Sequence, residues 1–455
     1  MSKSKSFRVG KVLAYLRGRV WYLCYHEHGQ RHRPRVGPNK ETARQLAAQI
    51  NGQLEIGAPA VLSFEPISIR DLREQWLQQH EQVLRSSLHT VARYRTATDH
   101  LLRYLEQNAV GRYASHFGVS HAEAFVRYLR SLVVAPNGHP HTAKRPLMDK
   151  GIKYVLETCR ALFNYAAKRR HLPPYTENAF STLEIERIPI QDARPIILFT
   201  SEQERSFLRA CDDWQFPLFV TLMLTGLRPG ELTHLLFPDD LDLEAGVVRI
   251  RNKPKLGWQV KTRNERDIPL VPILIEVLRY HLRGRNNGPV FRRRHFRGGA
   301  MKGQRAGQKE LELELERRIQ ADQESRGRPL NSRERLRLAR RLWREIGTVR
   351  EDHVRLEFMR LTGQIGLPEY TAPKMLRHLF ATALQEGRVD PLIRNELMGH
   401  AAAGARTSGH GLGMTAVYTH TRPETRRQQL EAALANCPAV VVAHEWRHSK
   451  KVDRN

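Results

Sequence analysis

The sequence predicts a mainly α-helical protein of several domains, with small β-sheets at two places along the chain. Three observations lead there. The chain has 455 residues, more than one ordinary domain holds. Apolar residues recur at helical spacing across most of residues 67–175 and again across 309–346. β-branched and aromatic residues crowd two short stretches, 12–25 and 247–270, each broken by turn residues.

From the N-terminus, Val12 to Tyr25 is rich in Val, Leu, Tyr and Trp and is interrupted at Gly18, which predicts a small hairpin or three-stranded sheet. Glu41 to Leu54 follows as a helix with Leu46, Ile50 and Leu54 on one face. The first fifty residues hold eleven Lys or Arg against two acids, so residues 1–60 read as a small α+β DNA-binding arm or as a stabilising appendage. Residues 65–175 form a helical domain: Ile69–Glu81, Leu88–Gln107, His121–Leu132 and Met148–Arg170, the last with Ile152, Val155, Leu156, Cys159 and Phe163 in register. Pro173, Pro174 and Pro189 mark a linker, taken as 176–198.

A mixed α/β domain is expected over 199–436. Ser201 with Glu204 makes a capping-box pattern that opens a helix. Leu218–Leu224 is a buried helix ending near Gly226, Val247–Arg251 and Gln259–Lys261 flank a hairpin, and Asp267–Leu270 is a third strand. Lys309–Ser325 and Ser332–Ile346, separated by Gly327, Pro329 and Asn331, read as a helical hairpin inserted at about 300–350. Its charges read as a solvated face rather than as a contact for DNA or a partner. Residues 437–455 are expected to be a flexible tail.

The formal net charge is +28, with 75 Lys or Arg against 47 acids spread over every segment, which points to a polyanionic partner, nucleic acid first. No run reaches the length of a membrane span, and the start lacks a signal-peptide core. Cys24, Cys159, Cys211 and Cys437 are dispersed, as in a reduced intracellular protein without a zinc cluster. His444-Glu-Trp-Arg-His448 fits the zinc-protease pattern, and Cys24, His26, His28 and His32 are close in sequence. The first lacks a third ligand and the second matches no standard ligand spacing, so no metal or cofactor is expected.

A set of polar residues in the C-terminal half carries the chemistry. Arg228 stands in Thr225-Gly-Leu-Arg-Pro-Gly-Glu-Leu232, Lys261 in Lys261-Thr-Arg-Asn-Glu-Arg-Asp-Ile-Pro-Leu270, and Lys374 and Arg377 in Lys374-Met-Leu-Arg-His378. His400 ends Leu397-Met-Gly-His400, and Tyr418 lies in Thr415-Ala-Val-Tyr-Thr-His420. A phosphodiester becomes attackable once its non-bridging oxygens are neutralised, and arginine does this with a planar, permanently charged fork. Arg228 and Arg377 are the candidate clamp, favouring charge that grows in the transition state. Tyr418 is the candidate nucleophile, supported by hydrogen bonds and positive field from His400 and Lys374. Lys261 is placed to protonate the leaving 5′ oxygen, with Lys253 and Lys255 as rivals for that role.

Taken together, these boxes resemble a tyrosine recombinase of the phage-integrase family over about residues 65–435. Thr-Gly-Leu-Arg-Pro-Gly-Glu-Leu is similar to the family's first-arginine box, and Lys261 to its β-hairpin lysine. Leu376-Arg377-His378 with Ala381-Thr382 resembles the second-arginine box, His400 follows Arg377 by 23 residues, and Tyr418 sits in the Tyr-x-His tail. The resemblance implies an arm-type domain at 1–60, a core-binding domain at 65–175 and a catalytic domain at 199–436. It further implies breakage and rejoining of double-stranded DNA through a 3′-phosphotyrosyl link without metal, ATP or other cofactor. The implied setting is a homotetramer on paired sites, with accessory DNA-bending or directionality proteins, in the cytoplasm and on the nucleoid.

Three departures stand out. Lys374 occupies the position where the family usually has His. The interval from His400 to Tyr418 is about twice the usual one because of a Gly- and Ala-rich loop, Ala401–Gly413. The 300–350 insertion lengthens the gap before Lys374. Two other functions share much of this pattern, a type IB topoisomerase and a non-catalytic DNA-binding protein on the same scaffold.

Overall fold

Alternating side chains build the first sheet. In the computed structural model, β1 (Ser6–Val9), β2 (Val12–Arg17), β3 (Val20–Glu27) and β4 (Gln30–His32) are antiparallel neighbours in that order, and β5 (Arg35–Gly37) pairs with β3. Val12 and Ala14 of β2 and Trp21, Leu23 and Tyr25 of β3 point to one face and are buried. Ala43, Ala47 and Ile50 of α1 (Lys40–Glu55) cover that face. Asn39 starts α1, its side chain accepting from the amides of Glu41 and Thr42. The structure describes residues 6–58, 60, 64–108, 110–135, 141–173, 176–191, 195–261, 263–296, 307–400 and 421–452. The chain divides into two compact units, Met1–Arg194 and Pro195–Asn455.

The helical part of the first unit is α2 (Ile69–Gln78), α3 (Leu88–Gln107), α4 (Val119–Ser131) and α5 (Asp149–Lys168), with a minimal ribbon of β6 (Val133–Val134) and β7 (Arg145–Pro146) between the last two. Leu72, Trp76, Leu101, Phe125, Leu156 and Phe163 make its core. The segment read as a linker from 176 contributes to that core through Ala179, Phe180 and Ile185. Phe180 stacks on Phe117 at 5.3 Å, and Asn178 donates to Arg160 O and Asn164 Oδ1. Its prolines signalled irregular backbone, and irregular backbone can still bury large side chains.

The second unit is built round α7 (Gln215–Thr225), in which every residue is buried. Packed about it are α6 (Ser201–Arg209), α9 (Pro272–Leu282), α12 (Glu351–Gln364), α13 (Lys374–Glu386) and α14 (Pro391–Met398). The cap of α6 lies one residue earlier than expected: Thr200 and Gln203 form the capping box, and Glu204 is buried instead. Beyond the short α8 (Pro229–Thr233) and β8 (Leu236–Phe237), the strands β9 (Leu241–Asp242), β10 (Val247–Ile250) and β11 (Arg266–Pro269) make an antiparallel sheet with β10 central. β12 (Gly288–Pro289) pairs with β8. The expected strand at Gln259–Lys261 is absent: Pro254–Leu256 forms a 3-10 turn, and the Asn252 side chain accepts from Val260 N and donates to Arg263 O. A side chain thus satisfies amide groups that a ladder would otherwise pair.

The inserted hairpin is α10 (Gln308–Arg326) and α11 (Ser332–Glu345), with its own core of Leu311, Leu315, Ala339, Leu342 and Trp343 on Leu236 and Leu256. Trp343 Nε1 donates to Leu256 O at 3.0 Å, which fastens the hairpin to the β10–β11 loop. The chain closes with α15 (Pro423–Leu434) and α16 (Pro438–Val452). The expected flexible tail is therefore corrected to a docked helix. Ala439, Val442 and Ala443 are buried, Trp446 stacks on Phe216 at 4.7 Å, and Glu445 accepts twice from Arg209. The apolar run Ala439–Ala443 found a surface to cover, which terminal position alone does not reveal. Among the described residues, no helix is long and apolar enough to cross a membrane, and no three His, Cys, Asp or Glu side chains gather as metal ligands.

Candidate active site

The site begins where α7 stops. Gly226 takes the left-handed conformation at φ 61°, and a side chain there would run into the ring of Phe380. The chain then turns into α8, with Arg228 at its N-cap. Arg228 N donates to Glu231 Oε2 at 3.0 Å and Arg228 Nη1 to Glu231 Oε1 at 2.7 Å, so one carboxylate serves both the cap and the guanidinium. Arg266 reaches the same carboxylate from β11, its Nη2 and Nη1 lying 2.7 and 3.2 Å from the two oxygens. Its Nε donates to Leu397 O at 2.9 Å, tying the sheet to the end of α14.

Arg377 projects from the first turn of α13 and is only 5% exposed. One Nη donates to Gly226 O at 2.6 Å and the other to Met398 O. These two bonds join the end of α7, the start of α13 and the end of α14. Gly399 closes α14 in the left-handed conformation at φ 59°, where a Cβ would press on the Arg266 guanidinium. His400 comes next, exposed, with its backbone amide donating to Asn395 O at 3.0 Å.

Three guanidinium groups and one carboxylate therefore share the site. Burial would raise the Glu231 pKa, but Arg266 and then Arg228 hold it below the usual carboxylate value, so it is ionised. Burial, with Arg228 and Arg266 adding to it, brings the Arg377 pKa down to about 10, which leaves it charged at neutral pH. Burial, then Arg377, Arg228 and Arg266, holds His400 below its ordinary pKa of 6.5, so its imidazole is neutral at pH 7 and can both donate and accept.

The structure thus brings Arg228, Arg377 and His400 together. Lys374 is the first residue of α13, exposed, one helical turn before Arg377. Burial first, then its charge, lowers the pKa of His378. Lys261 is exposed in a turn that Arg263 N closes on Val260 O at 2.8 Å. Of the rival lysines, Lys253 is 1% exposed and held by Asp240 at 2.8 Å, and Lys255 lies 3.6 Å from Glu312. Tyr418 and the loop Ala401–Gly413 lie outside the described residues. The first helix after them, α15, is pinned by Arg426, whose Nη2 is 2.9 Å from Glu396.

Glu231 and Arg266 are the residues that reading the sequence missed. Both stood within quoted motifs, Glu231 three places after Arg228 and Arg266 five places after Lys261. The available signal was the i, i+3 pairing of Arg228 with an acid ahead of an apolar run. Nothing local marks Arg266 as that acid's second partner.

The description of the phage integrase family matches residues 198–424. A tyrosine recombinase XerC of Rhodospirillum centenum is 33% identical over 92 residues, 20% of this chain and 27% of its own length. A tyrosine recombinase XerC of Xylella fastidiosa (strain M23) is 24% identical over 339 residues, 73% of this chain and 86% of its own. Among solved structures, the Tn1549 transposon integrase in complex with circular intermediate DNA aligns with TM-score 0.49 at 19% identity, over 80% of this chain and 99% of that one. Residues 198–424 contain Arg228, Lys261, Lys374, Arg377, His400 and Tyr418.

Proposed function

This chain belongs to the phage integrase family of tyrosine recombinases, enzymes that break and rejoin DNA strands, and we propose that it is a site-specific DNA recombinase acting through a 3′-phosphotyrosyl intermediate. One observation carries the reading: Arg228 and Arg266 pair with one ionised carboxylate, Glu231, while a third guanidinium, Arg377, is held by the carbonyls of Gly226 and Met398 within their field, beside a neutral His400. The excess positive charge fits a scissile phosphodiester. Arg228 and Arg377 are fixed on one side by Glu231 and by two backbone carbonyls, and a guanidinium has further N–H donors for phosphate oxygens. Donors fixed in advance need little rearrangement as charge builds on those oxygens.

In the proposed sequence, the Tyr418 hydroxyl oxygen attacks the scissile phosphorus. The bond to the 5′ oxygen breaks, and Lys261 gives that oxygen its proton. The tyrosine proton passes to a neighbouring base, for which neutral His400 is suited. A 5′ hydroxyl from the partner duplex then attacks the phosphotyrosyl link and releases Tyr418. Each step exchanges one phosphoester for another, so the bond energy is conserved and neither ATP nor hydrolysis is required. Exchange of both strands of two duplexes needs four cuts, which suits a homotetramer on paired sites.

The test uses a duplex from the ends of the element that carries the gene, nicked beside the crossover so that cleavage cannot reverse. Without magnesium and with chelator present, the wild-type chain gives a protein–DNA adduct on a denaturing gel, and Tyr418→Phe gives none. Specific binding without an adduct would favour the non-catalytic scaffold. An adduct with plasmid relaxation but no strand exchange would favour the topoisomerase.

A further inference from the structure

Besides Arg335, which donates to Gln323, the inserted hairpin carries two kinds of arginine. Arg317, Arg318, Arg326, Arg328 and Arg341 each hold a carboxylate of the hairpin within ion-pair distance. Arg333, Arg337, Arg340 and Arg344 of α11 are exposed, and among the described residues no carboxylate pairs with them. Their spacing of four, three and four residues puts all four on one face of the helix. Ala339, Leu342 and Trp343 occupy another face and are buried against Leu256 and Leu236.

Like charges at i, i+3 and i, i+4 destabilise a helix, and Glu314, Asp322, Glu334 and Glu345 of the hairpin pair with its other arginines. Burial, then Arg344 and Arg350, depresses the Arg293 pKa, so the crowding of positive charge extends past the end of α11. A solvated helix face made for solubility alternates signs, and this one does not. From Arg333 to Arg344 the stripe runs roughly 16 Å at about 1.5 Å per residue. A DNA strand places a phosphate about every 3.4 Å of its axis, so the stripe spans roughly five phosphates. Trp343 and Gly257 bind α11 to the loop that carries Lys261, because a side chain at Gly257 would strike Ala339 and Leu336. The stripe and the lysine proposed to meet the leaving oxygen therefore belong to one body.

We infer that α11 is a second DNA contact of this enzyme: Arg333, Arg337, Arg340 and Arg344 grip the phosphate backbone of double-stranded DNA, independently of sequence, beside the site that cuts it. The inference rests on the recombinase reading for its ligand. Such a contact adds affinity and orientation without adding base specificity.

The experiment compares full-length wild type with a variant carrying Arg333→Gln, Arg337→Gln, Arg340→Gln and Arg344→Gln, and with the corresponding fourfold Lys variant. Binding to a 60-base-pair duplex (about six turns of DNA) is measured by fluorescence anisotropy at several salt concentrations. Each phosphate contact contributes about 0.9 to the slope of log K against log salt, so the Gln variant should lose roughly 3–4 from it and the Lys variant should recover most of that loss. Hydrogen exchange should show DNA-dependent protection of residues 332–345 in wild type. The Gln variant should melt no lower than wild type, since it removes only like-charge neighbours, and this separates lost contact from lost fold. A slope lowered by less than one, with no protection of 332–345, would overturn the inference while duplex binding kept the recombinase reading intact. Absence of duplex binding by wild type would overturn both.

Discussion

Glu231 is 2% exposed and accepts from Arg228 and from Arg266 through both of its oxygens. A carboxylate so placed does no chemistry on DNA, yet it fixes where two cations stand. Glu231→Gln removes the charge while keeping the shape. It leaves Arg266, 5% exposed, as a buried cation without a counter-charge, and breaking a buried pair in this way costs about 3–5 kcal/mol. Urea denaturation should read a loss of that order, and adduct formation should fall with it because Arg228 is no longer held. Arg228, Arg377 and His400 sit in short motifs whose neighbours in sequence announce them. Arg266, the partner that β11 brings to Glu231, is 35 residues away, and no local pattern encodes it.

At the scale of elements, α16 is held by a group with an unusual proton affinity. Glu204 of α6 is 9% exposed, and its Oε1 accepts from Ala439 N in the first turn of α16. Burial raises its pKa from 4.5 to about 7, against the opposing hydrogen bond from Ala439 and the charge of Arg205. Between those values the folded protein keeps a proton that the unfolded chain gives up. Stability therefore falls as pH rises through that window and levels off above it, by up to about 3 kcal/mol. Glu204→Gln should remove this dependence: urea midpoints at pH 5 and pH 8 should differ less in the variant than in wild type. The same element shows why terminal sequence does not reveal docking. Ala439, Val442 and Ala443 make a short apolar stripe followed by charges, a pattern equally available to a free end, and only α6, α7 and α9 make it a docked helix.

For the whole molecule, the net charge of +28 sets how it meets DNA. Six to ten phosphate contacts would make affinity for duplex fall by about 10³ to 10⁵ between 50 and 200 mM salt, and a titration on a non-target duplex reads this directly. A decline of less than about tenfold would mean that the charge is spent on intramolecular pairs. Many arginines are indeed paired within the second unit, as in Arg294 with Asp212 and Glu357, so the count of basic residues overstates the cation offered to a partner.

Sequence by itself determined the mainly helical build, the helices whose apolar residues repeat in register, the polyanionic partner class and the boxes that carry Arg228, Arg377 and His400. Each of these depends on neighbours along the chain or on composition. Tertiary structure alone decided that Glu231 and Arg266 complete the cluster and that Lys253 is locked in an ion pair with Asp240 while Lys261 stays exposed. It also decided that Phe180 belongs to a core and that α16 docks. Those outcomes turn on burial, and burial depends on which distant surfaces meet. A buried charge must find its counter-charge wherever the fold places it, and an apolar stripe becomes a helix face only when another element arrives to cover it.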